Sequence, residues 1–268
     1  MRCAMNNAVL EAVNLVKVFP GSRKGLVSRG SDLTAVDEVS FSLYKGELLG
    51  LLGESGCGKS TVAKMLMHLI SPTSGTILMD GEEVQNLSES AFRRRRRQIQ
   101  MVYQNPFDCL DPRMRVRSLL EEPLKIWFPE MGEQIRQDRI HNMLKECGLP
   151  GNCLDKKPGE FSGGQLQRIS IARALLVEPE ILIADEIISA LDVSVQNQIL
   201  NLLIQMKQRH HLSILFITHD LSVARMVSDR VMVMQSGRIK GIGSPEEVFS
   251  NSADPYIREL TEAVFTLS

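Results

Sequence analysis

Three absences narrow what this 268-residue chain does before any motif is read. There is no charge excess: 31 Lys and Arg stand against 32 Asp and Glu, a formal net charge of -1. A domain that condenses on nucleic-acid backbone carries a clear basic surplus, so no nucleic-acid partner is expected. There is no run near the ~18 consecutive apolar residues that span a bilayer, and the first residues lack the charged, apolar, small-residue succession of a secretory signal. The chain itself is therefore expected to stay in the cytosol. Finally, the five cysteines, Cys3, Cys57, Cys109, Cys147 and Cys153, show no close pairs. That excludes a zinc knuckle or a secreted disulfide framework and leaves reduced thiols.

What is present is ordinary globular composition, 43% hydrophobic and 24% charged, enough for a sizeable core in one large or two small domains. No internal repeat is visible. Short apolar runs at 48–52, 100–103, 181–184, 214–217 and 231–234 alternate with helical stretches. Several lack polar alternation, which marks strands buried on both faces of a mostly parallel sheet, so the fold class is α/β. Residues 8–18, 33–43 and 76–80 instead alternate and are split by Gly, Ser and Asp turns, predicting an antiparallel β subdomain near the N-terminus. Residues 21–32, rich in Gly, Ser, Lys and Arg, read as a solvated loop. From about 106 to 170 apolar residues fall at helical spacing (Leu119, Leu120, Leu124; Ile135, Ile140, Met143, Leu144), predicting an inserted helical subdomain. The main domain is drawn at 8–245. A helical tail over 246–268 follows, its start marked by Pro245 at a first-turn position.

The segment Gly53-Glu54-Ser55-Gly56-Cys57-Gly58-Lys59-Ser60 fits G-x-x-x-x-G-K-[ST], after an apolar strand and before a helical stretch at 60–69. Such glycines let backbone N–H groups curl around phosphate oxygens. The helix N-terminus adds partial positive charge, Lys59 a full one, and Ser60 a ligand for Mg²⁺. Cys57, beside Lys59 and a helix start, is expected to carry an acidified thiol. Asp185 and Glu186 end the apolar run at 181–184. At the carboxyl end of a strand, Asp185 suits Mg²⁺ and Glu186 suits the base that orients and deprotonates water. Phe161-Ser162-Gly163-Gly164-Gln165 opens a helical stretch at 167–177 and offers Ser162 and backbone amides to an oxyanion. Gln104 and His219 each follow a predicted strand, at the edge where phosphates collect. The run Arg93 to Arg97 reads as a solvated edge.

In this order the motifs resemble those of the ATP-binding cassette (ABC) transporter ATPases, from about Val9 to the C-terminus. The resemblance implies the ABC nucleotide-binding fold, with ATP and Mg²⁺ as cofactors. Phe19 falls at the adenine-stacking position, Gly53 to Thr61 at the phosphate loop, and Gln104 at the Q-loop, where it would touch Mg²⁺ or the attacking water. Ser162, Gly163, Gly164 and Gln165 match the signature, Asp185 and Glu186 the Walker B pair, Ser189-Ala190-Leu191-Asp192 the D-loop, and His219 the switch histidine. Finer features, including Leu110-Asp111-Pro112-Arg113-Met114 and Asp254-Pro255-Tyr256, are similar to the second ATPase subunit of oligopeptide, dipeptide and nickel importers.

That likeness implies a subunit peripheral to the cytoplasmic face of the cell membrane. Its implied partners are a second ABC ATPase subunit in a heterodimer, two integral membrane permease subunits, and, indirectly, an extracytoplasmic solute-binding protein. The alternatives weighed are a soluble ABC ATPase acting on DNA or ribosomes and a non-hydrolysing regulatory subunit. Two departures from the pattern stand out. Ile187 follows the catalytic glutamate where the family usually has proline, and no cysteine follows Cys153, so the iron–sulfur cluster of some relatives is not expected.

Overall fold

The computed structural model describes residues 8–21, 23–24, 28–29, 31–250 and 252–265; Cys3 lies outside them. The chain forms two structural units, one from its start to Phe92 and from Ser213 onward, the other from Arg93 to Leu212.

In the first unit, β1 (Ala8–Phe19) pairs antiparallel with β4 (Leu33–Tyr44) and β6 (Ser74–Met79), and β7 (Glu82–Glu83) extends β6. Alternation drives most of this sheet: Ala12, Leu15, Val36, Val39, Phe41 and Leu43 are buried while their neighbours are more exposed, and Val9 and Leu10 are buried in succession at the start of β1. Within the segment anticipated as a loop, β2 (Arg23–Lys24) and β3 (Ser28–Arg29) form a short antiparallel pair. Residues 22, 25–27 and 30 of that segment lie outside the described residues.

The other strands of this unit belong to a second sheet. Here β5 (Leu48–Leu52), β10 (Ser213–Thr218) and β11 (Arg230–Gln235) are parallel, and β12 (Arg238–Gly243) returns antiparallel beside β11. Every residue of β5 and β10 is buried, which is why neither shows polar alternation. Each Leu or Ile so buried contributes about 1.5–3 kcal/mol. Strand β12, Arg238-Ile239-Lys240-Gly241-Ile242-Gly243, escaped the sequence reading because a two-glycine polar run carries little strand signal.

Helix α1 (Lys59–Leu66) follows β5 and buries Val62, Ala63, Met65 and Leu66; it stops short of the anticipated residue 69, with His68 already left-handed at φ 54°. Helix α2 (Glu89–Arg95) carries the chain into the second unit. Helices α7 (Leu221–Val227), α8 (Pro245–Ser250) and α9 (Pro255–Phe265) complete the first unit. Pro245 opens α8 as anticipated. Val248, Phe249, Tyr256 and Ile257 of the C-terminal helices share one cluster with Leu52, Leu221, Ala224, Val231 and Val233.

In the second unit, β8 (Ile99–Val102) lies parallel to β9 (Ile181–Asp185), and the rest is helical: α3 (Val116–Trp127), α4 (Glu133–Glu146), α5 (Gly163–Leu175) and α6 (Val193–His210). Leu119, Leu120, Leu124, Ile140 and Leu144, read from helical spacing, are buried as that spacing requires, whereas Ile135 is 63% exposed. The arginine run is only partly a solvated edge. Arg93 and Arg94 are exposed, but Arg97 donates to Val177 O at 3.1 Å and pairs with Glu178. With Arg139 it flanks Phe128, each guanidinium carbon 4.6 Å from the ring centroid.

Candidate functional site

Strand β5 delivers the chain straight into the glycine loop. Gly53 (φ 152°) and Gly58 (φ 114°) are required here by close approach: a Cβ at Gly53 would sit 2.2 Å from Met234 O, and one at Gly58 2.3 Å from Ala35 O. The crest, Glu54, Ser55 and Gly56, is exposed, and α1 begins immediately after the loop at Lys59. Its first-turn amides have no intrahelical acceptor, so they and the helix dipole present positive charge at the loop, with Ser60 and Thr61 in the same turn. The Lys59 side chain is 4% exposed, and its ammonium donates to Gly53 O at 2.6 Å and Glu54 O at 2.9 Å. A buried ammonium that donates to neutral carbonyls gains when anionic oxygens replace them. The donor set therefore fits a polyphosphate.

Cys57 corrects an expectation. The thiol is buried, and burial pushes its pKa up despite Lys59, whose Nζ lies 4.0 Å from Sγ. Desolvation of a thiolate outweighs one ammonium whose own bonds run to the loop carbonyls. The residue is a small apolar filler under the loop, not an acidified nucleophile.

His219 belongs to the same unit. Thr218 pairs with Leu52 across β10 and β5, so His219 and Gly53 leave the sheet side by side at its carboxyl edge. His219 is exposed, and the turn after it is secured: Asp220 N donates to Thr218 Oγ1 at 3.0 Å and Asp220 Oδ1 caps α7 by accepting from Val223 N at 3.1 Å. Phe19 ends β1 with its ring 37% exposed and the Lys17 ammonium 5.3 Å from its centroid. That leaves a partly open aromatic face of the kind a nucleobase stacks on.

The second unit assembles the acidic residues. Val102 pairs with Ala184, so Gln104 leaves β8 beside Asp185 and Glu186 at the end of β9. Asp185 is 8% exposed; Glu186 turns the chain with φ 48°, a left-handed residue. Ile187 and Ile188 are buried beneath this turn, where the family's proline would stand. The turn is closed by Ser189, whose N and Oγ both donate to Glu186 O (3.1 and 2.9 Å), and by Gln104 Nε2 donating to Ser189 Oγ at 3.1 Å. Gln196 on α6 fastens the remainder, donating to Ile188 O and Leu191 O. Asp192 then starts α6, exposed and with no side-chain capping bond.

Ser162 and Gln165 form a reciprocal capping box on α5: Ser162 Oγ accepts from Gln165 N at 3.4 Å and Gln165 Oε1 accepts from Ser162 N at 3.0 Å. A hydroxyl that accepts keeps its proton for another acceptor, so Ser162 remains a donor at an exposed helix start. The glycines here have a reason beyond access. A Cβ at Gly164 would lie 2.4 Å from Val195 Cγ1, and one at Gly163 3.2 Å from Leu191 Cδ2, so the signature packs against the D-loop and α6. Gln167, buried on α5, went unnoticed in the sequence; it donates to Tyr103 O at 3.3 Å and ties the helix to the Q-loop. Its signal would have been a polar residue on an otherwise apolar helix face.

Among the described residues no group of three or more His, Cys, Asp or Glu could hold a metal ion. Ser60 in the first unit, and Asp185 and the Gln104 amide oxygen in the second, are each hard oxygen donors of the kind Mg²⁺ takes. Each fits Mg²⁺ that arrives with a nucleotide rather than one held by protein ligands alone.

Residues 36–189 match the model of the ABC transporter family. The chain belongs to that family. It is 45% identical to the oligopeptide transport ATP-binding protein AppF of Bacillus subtilis, over 98% of this chain and 80% of that protein. It is also 45% identical to the oligopeptide transport ATP-binding protein OppF of Escherichia coli, over 87% of this chain and 70% of that one. Two solved ABC structures share the fold. The ATP-binding cassette MJ0796, a dimer in a post-hydrolysis state bound to ADP and Pi, superposes with a TM-score of 0.78 at 28% identity, covering 88% of this chain and 98% of its own. The cbiO1 subunit of the ABC transporter complex cbiONQ from Clostridium perfringens gives 0.78 at 27% identity, covering 97% of each. As an ABC family member the chain is an ATP-binding protein and an ATPase coupled to transport.

Proposed function

We propose that this chain is the ATP-hydrolysing subunit that energises a membrane importer of peptides, working as half of a nucleotide-clasping dimer. The observation that carries the proposal is the arrangement of Lys59: a buried ammonium curled into its own glycine loop at a helix start, ready to exchange two carbonyls for phosphate oxygens. The peptide cargo rests on the names of the two relatives above, both oligopeptide transport ATP-binding proteins; nickel or metal chelates are the related alternative.

The first unit supplies phosphate binding through the amides of 54–61, Lys59 and Ser60, adenine stacking through Phe19, and a hydrogen bond to the terminal phosphate through His219. The second supplies Asp185 and Gln104 as ligands toward Mg²⁺ and Glu186 as the base that takes a proton from the attacking water. Held there by Asp185 and Gln104, Mg²⁺ would supply positive charge that offsets the charge developing on the phosphate. Ser162, Gly163, Gly164 and Gln165 present a hydroxyl and amides to nucleotide held by a second ATPase subunit, with Asp192 in the D-loop facing that subunit. Closing this dimer shifts attached permease subunits by no more than the difference in ATP affinity between closed and open states.

No helix among the described residues is long and apolar enough to cross a membrane. The names of the transport relatives support the reading that two integral membrane permease subunits carry the pathway, with this chain peripheral at their cytoplasmic face. An extracytoplasmic solute-binding protein acts through them. Reconstitution with its permease subunits in vesicles tests the function: peptide-loaded binding protein is expected to stimulate ATP hydrolysis and uptake. Uptake indifferent to ATP, or ATPase activity responsive only to ribosomes or DNA, would overturn it.

A further inference from the structure

The turn joining β11 to β12 has backbone to spare. Gln235 and Arg238 pair across the hairpin, and the two residues between them are left-handed, Ser236 at φ 47° and Gly237 at φ 84°, the form that a tight two-residue hairpin turn takes. The polar groups of Gly237 are therefore not used up by the hairpin itself. Gly237 N donates to Cys57 O in the phosphate loop at 2.9 Å, and Gly237 O accepts from Asp37 N of β4 at 2.9 Å. Arg238 Nε reinforces the junction by donating to Asp37 Oδ2 at 2.7 Å. The fit is close: a Cβ at Gly237 would lie 3.2 Å from Ala35 O, the same carbonyl that a Cβ at Gly58 would meet at 2.3 Å.

A loop that offers N–H groups to phosphate turns its carbonyls away, and each carbonyl then needs a donor of its own. Two kinds of donor serve here. Gly53 O and Glu54 O accept from the Lys59 ammonium, bonds that end when the ammonium turns to phosphate. Cys57 O accepts instead from the Gly237 N–H, a donor fixed in a neighbouring turn that a bound phosphate leaves in place. A peptide group is planar and trans, so its C=O and N–H point in opposite directions. Holding Cys57 O against the hairpin turn therefore holds the Gly58 N–H facing away from it.

We propose that Gly237 is a positioning residue for phosphate binding: its N–H anchors the Cys57 carbonyl, so that the Gly58 amide stays aimed at the phosphates after Lys59 has left the loop carbonyls. The β11–β12 turn thus sets the shape of a loop that lies far from it in the chain. The proposal deepens the phosphate-loop reading of the preceding subsection and rests on it.

The turn between β6 and β7 supplies a matched control. Asp80 and Gly81 are left-handed in the same way, at φ 51° and 78°, but a Cβ at Gly81 would meet nothing within 4 Å. G81A and G237A each add a methyl group at a left-handed glycine, and only G237A presses on Ala35 beside the peptide bonded to Cys57. The test compares the full chain as wild type, G81A, G237A, K59A and a variant in which the Gly237 amide nitrogen is replaced by ester oxygen. Thermal melting without ligand, equilibrium binding of a fluorescent ATP analogue with Mg²⁺, and displacement of that analogue by inorganic tripolyphosphate are measured.

G81A and G237A are each expected to melt about 2–4 °C lower than wild type, the cost of a left-handed alanine. G81A should bind as wild type does, whereas G237A and the ester should bind both the analogue and tripolyphosphate about fivefold to tenfold more weakly. A glycine that served stability alone would give equal affinities in the two alanine variants. The ester removes one donor and keeps the freedom of glycine, so it reads the bond even where G237A fails to fold. Wild-type affinity in the ester variant, or an equal loss of affinity in G81A, overturns the proposal while leaving the phosphate loop intact. Binding in wild type that K59A does not weaken overturns the underlying reading instead.

Discussion

Gln104 and Ser189 are joined side chain to side chain, the amide Nε2 donating to Oγ at 3.1 Å, while the same hydroxyl donates to Glu186 O at 2.9 Å. One serine thus links the residue after β8 to the turn that aims Glu186. Removing either end should lower turnover, and S189A, which removes no proposed ligand, should leave nucleotide affinity near wild type. For Q104A and S189A singly the loss of one such bond corresponds to roughly fivefold to tenfold in rate. The double variant is expected to be less impaired than the product of the two, and a double-mutant cycle on kcat measures the coupling. Strict additivity would show that the bond does not orient the glutamate.

Glu186 is the proposed base. Replacing it with Gln preserves shape and removes proton-accepting capacity, so E186Q is expected to bind ATP as wild type does and hydrolyse it slower by orders of magnitude. Single-turnover phosphate release reads this directly. Unchanged release would assign the base elsewhere.

Cys57 offers a prediction of opposite sign to the one its sequence context suggests. With its thiol pKa pushed up by burial, it stays protonated through neutral pH, and iodoacetamide near pH ~7.5 should modify it more slowly than a free cysteine. Cys147, fully buried and pushed up to about 12, is the internal standard and should react only on unfolding. Mass spectrometry of the labelled peptides gives both rates. Faster labelling at Cys57 than at a model thiol would restore the acidified thiolate.

Gly164 separates packing from ligand access. A methyl group there meets Val195 Cγ1 at 2.4 Å, so G164A is expected to destabilise the second unit by about 1–3 kcal/mol through overpacking. Shortening the neighbour in G164A/V195A should recover much of the melting temperature. If function in the assembled transporter returns with it, the glycine serves packing. If it does not, the nucleotide-facing amide is what the methyl group obstructs.

The sequence disclosed the elements whose signal is local. The buried strands at 48–52, 181–185 and 213–218 are legible because burial on both faces removes polar alternation, and the phosphate loop because its glycines, lysine and serine are consecutive. Gln167 was not legible as a site element, since its partner Tyr103 lies 64 residues away in the chain. Likewise β12 was missed because its pairing with β11, rather than its own composition, makes it a strand.

By itself, then, the amino-acid order determined the α/β class, the ATP-binding family and the residues proposed to bind phosphate, because each follows from short-range pattern and from backbone freedom at particular glycines. Only the tertiary structure decided that Cys57 is a shielded thiol, that Gly164 answers to Val195, and that the C-terminal helices share a core cluster with Leu52, Leu221 and Val231. Those properties depend on desolvation and contact across the packed chain, and neither quantity is written in the spacing of residues along it.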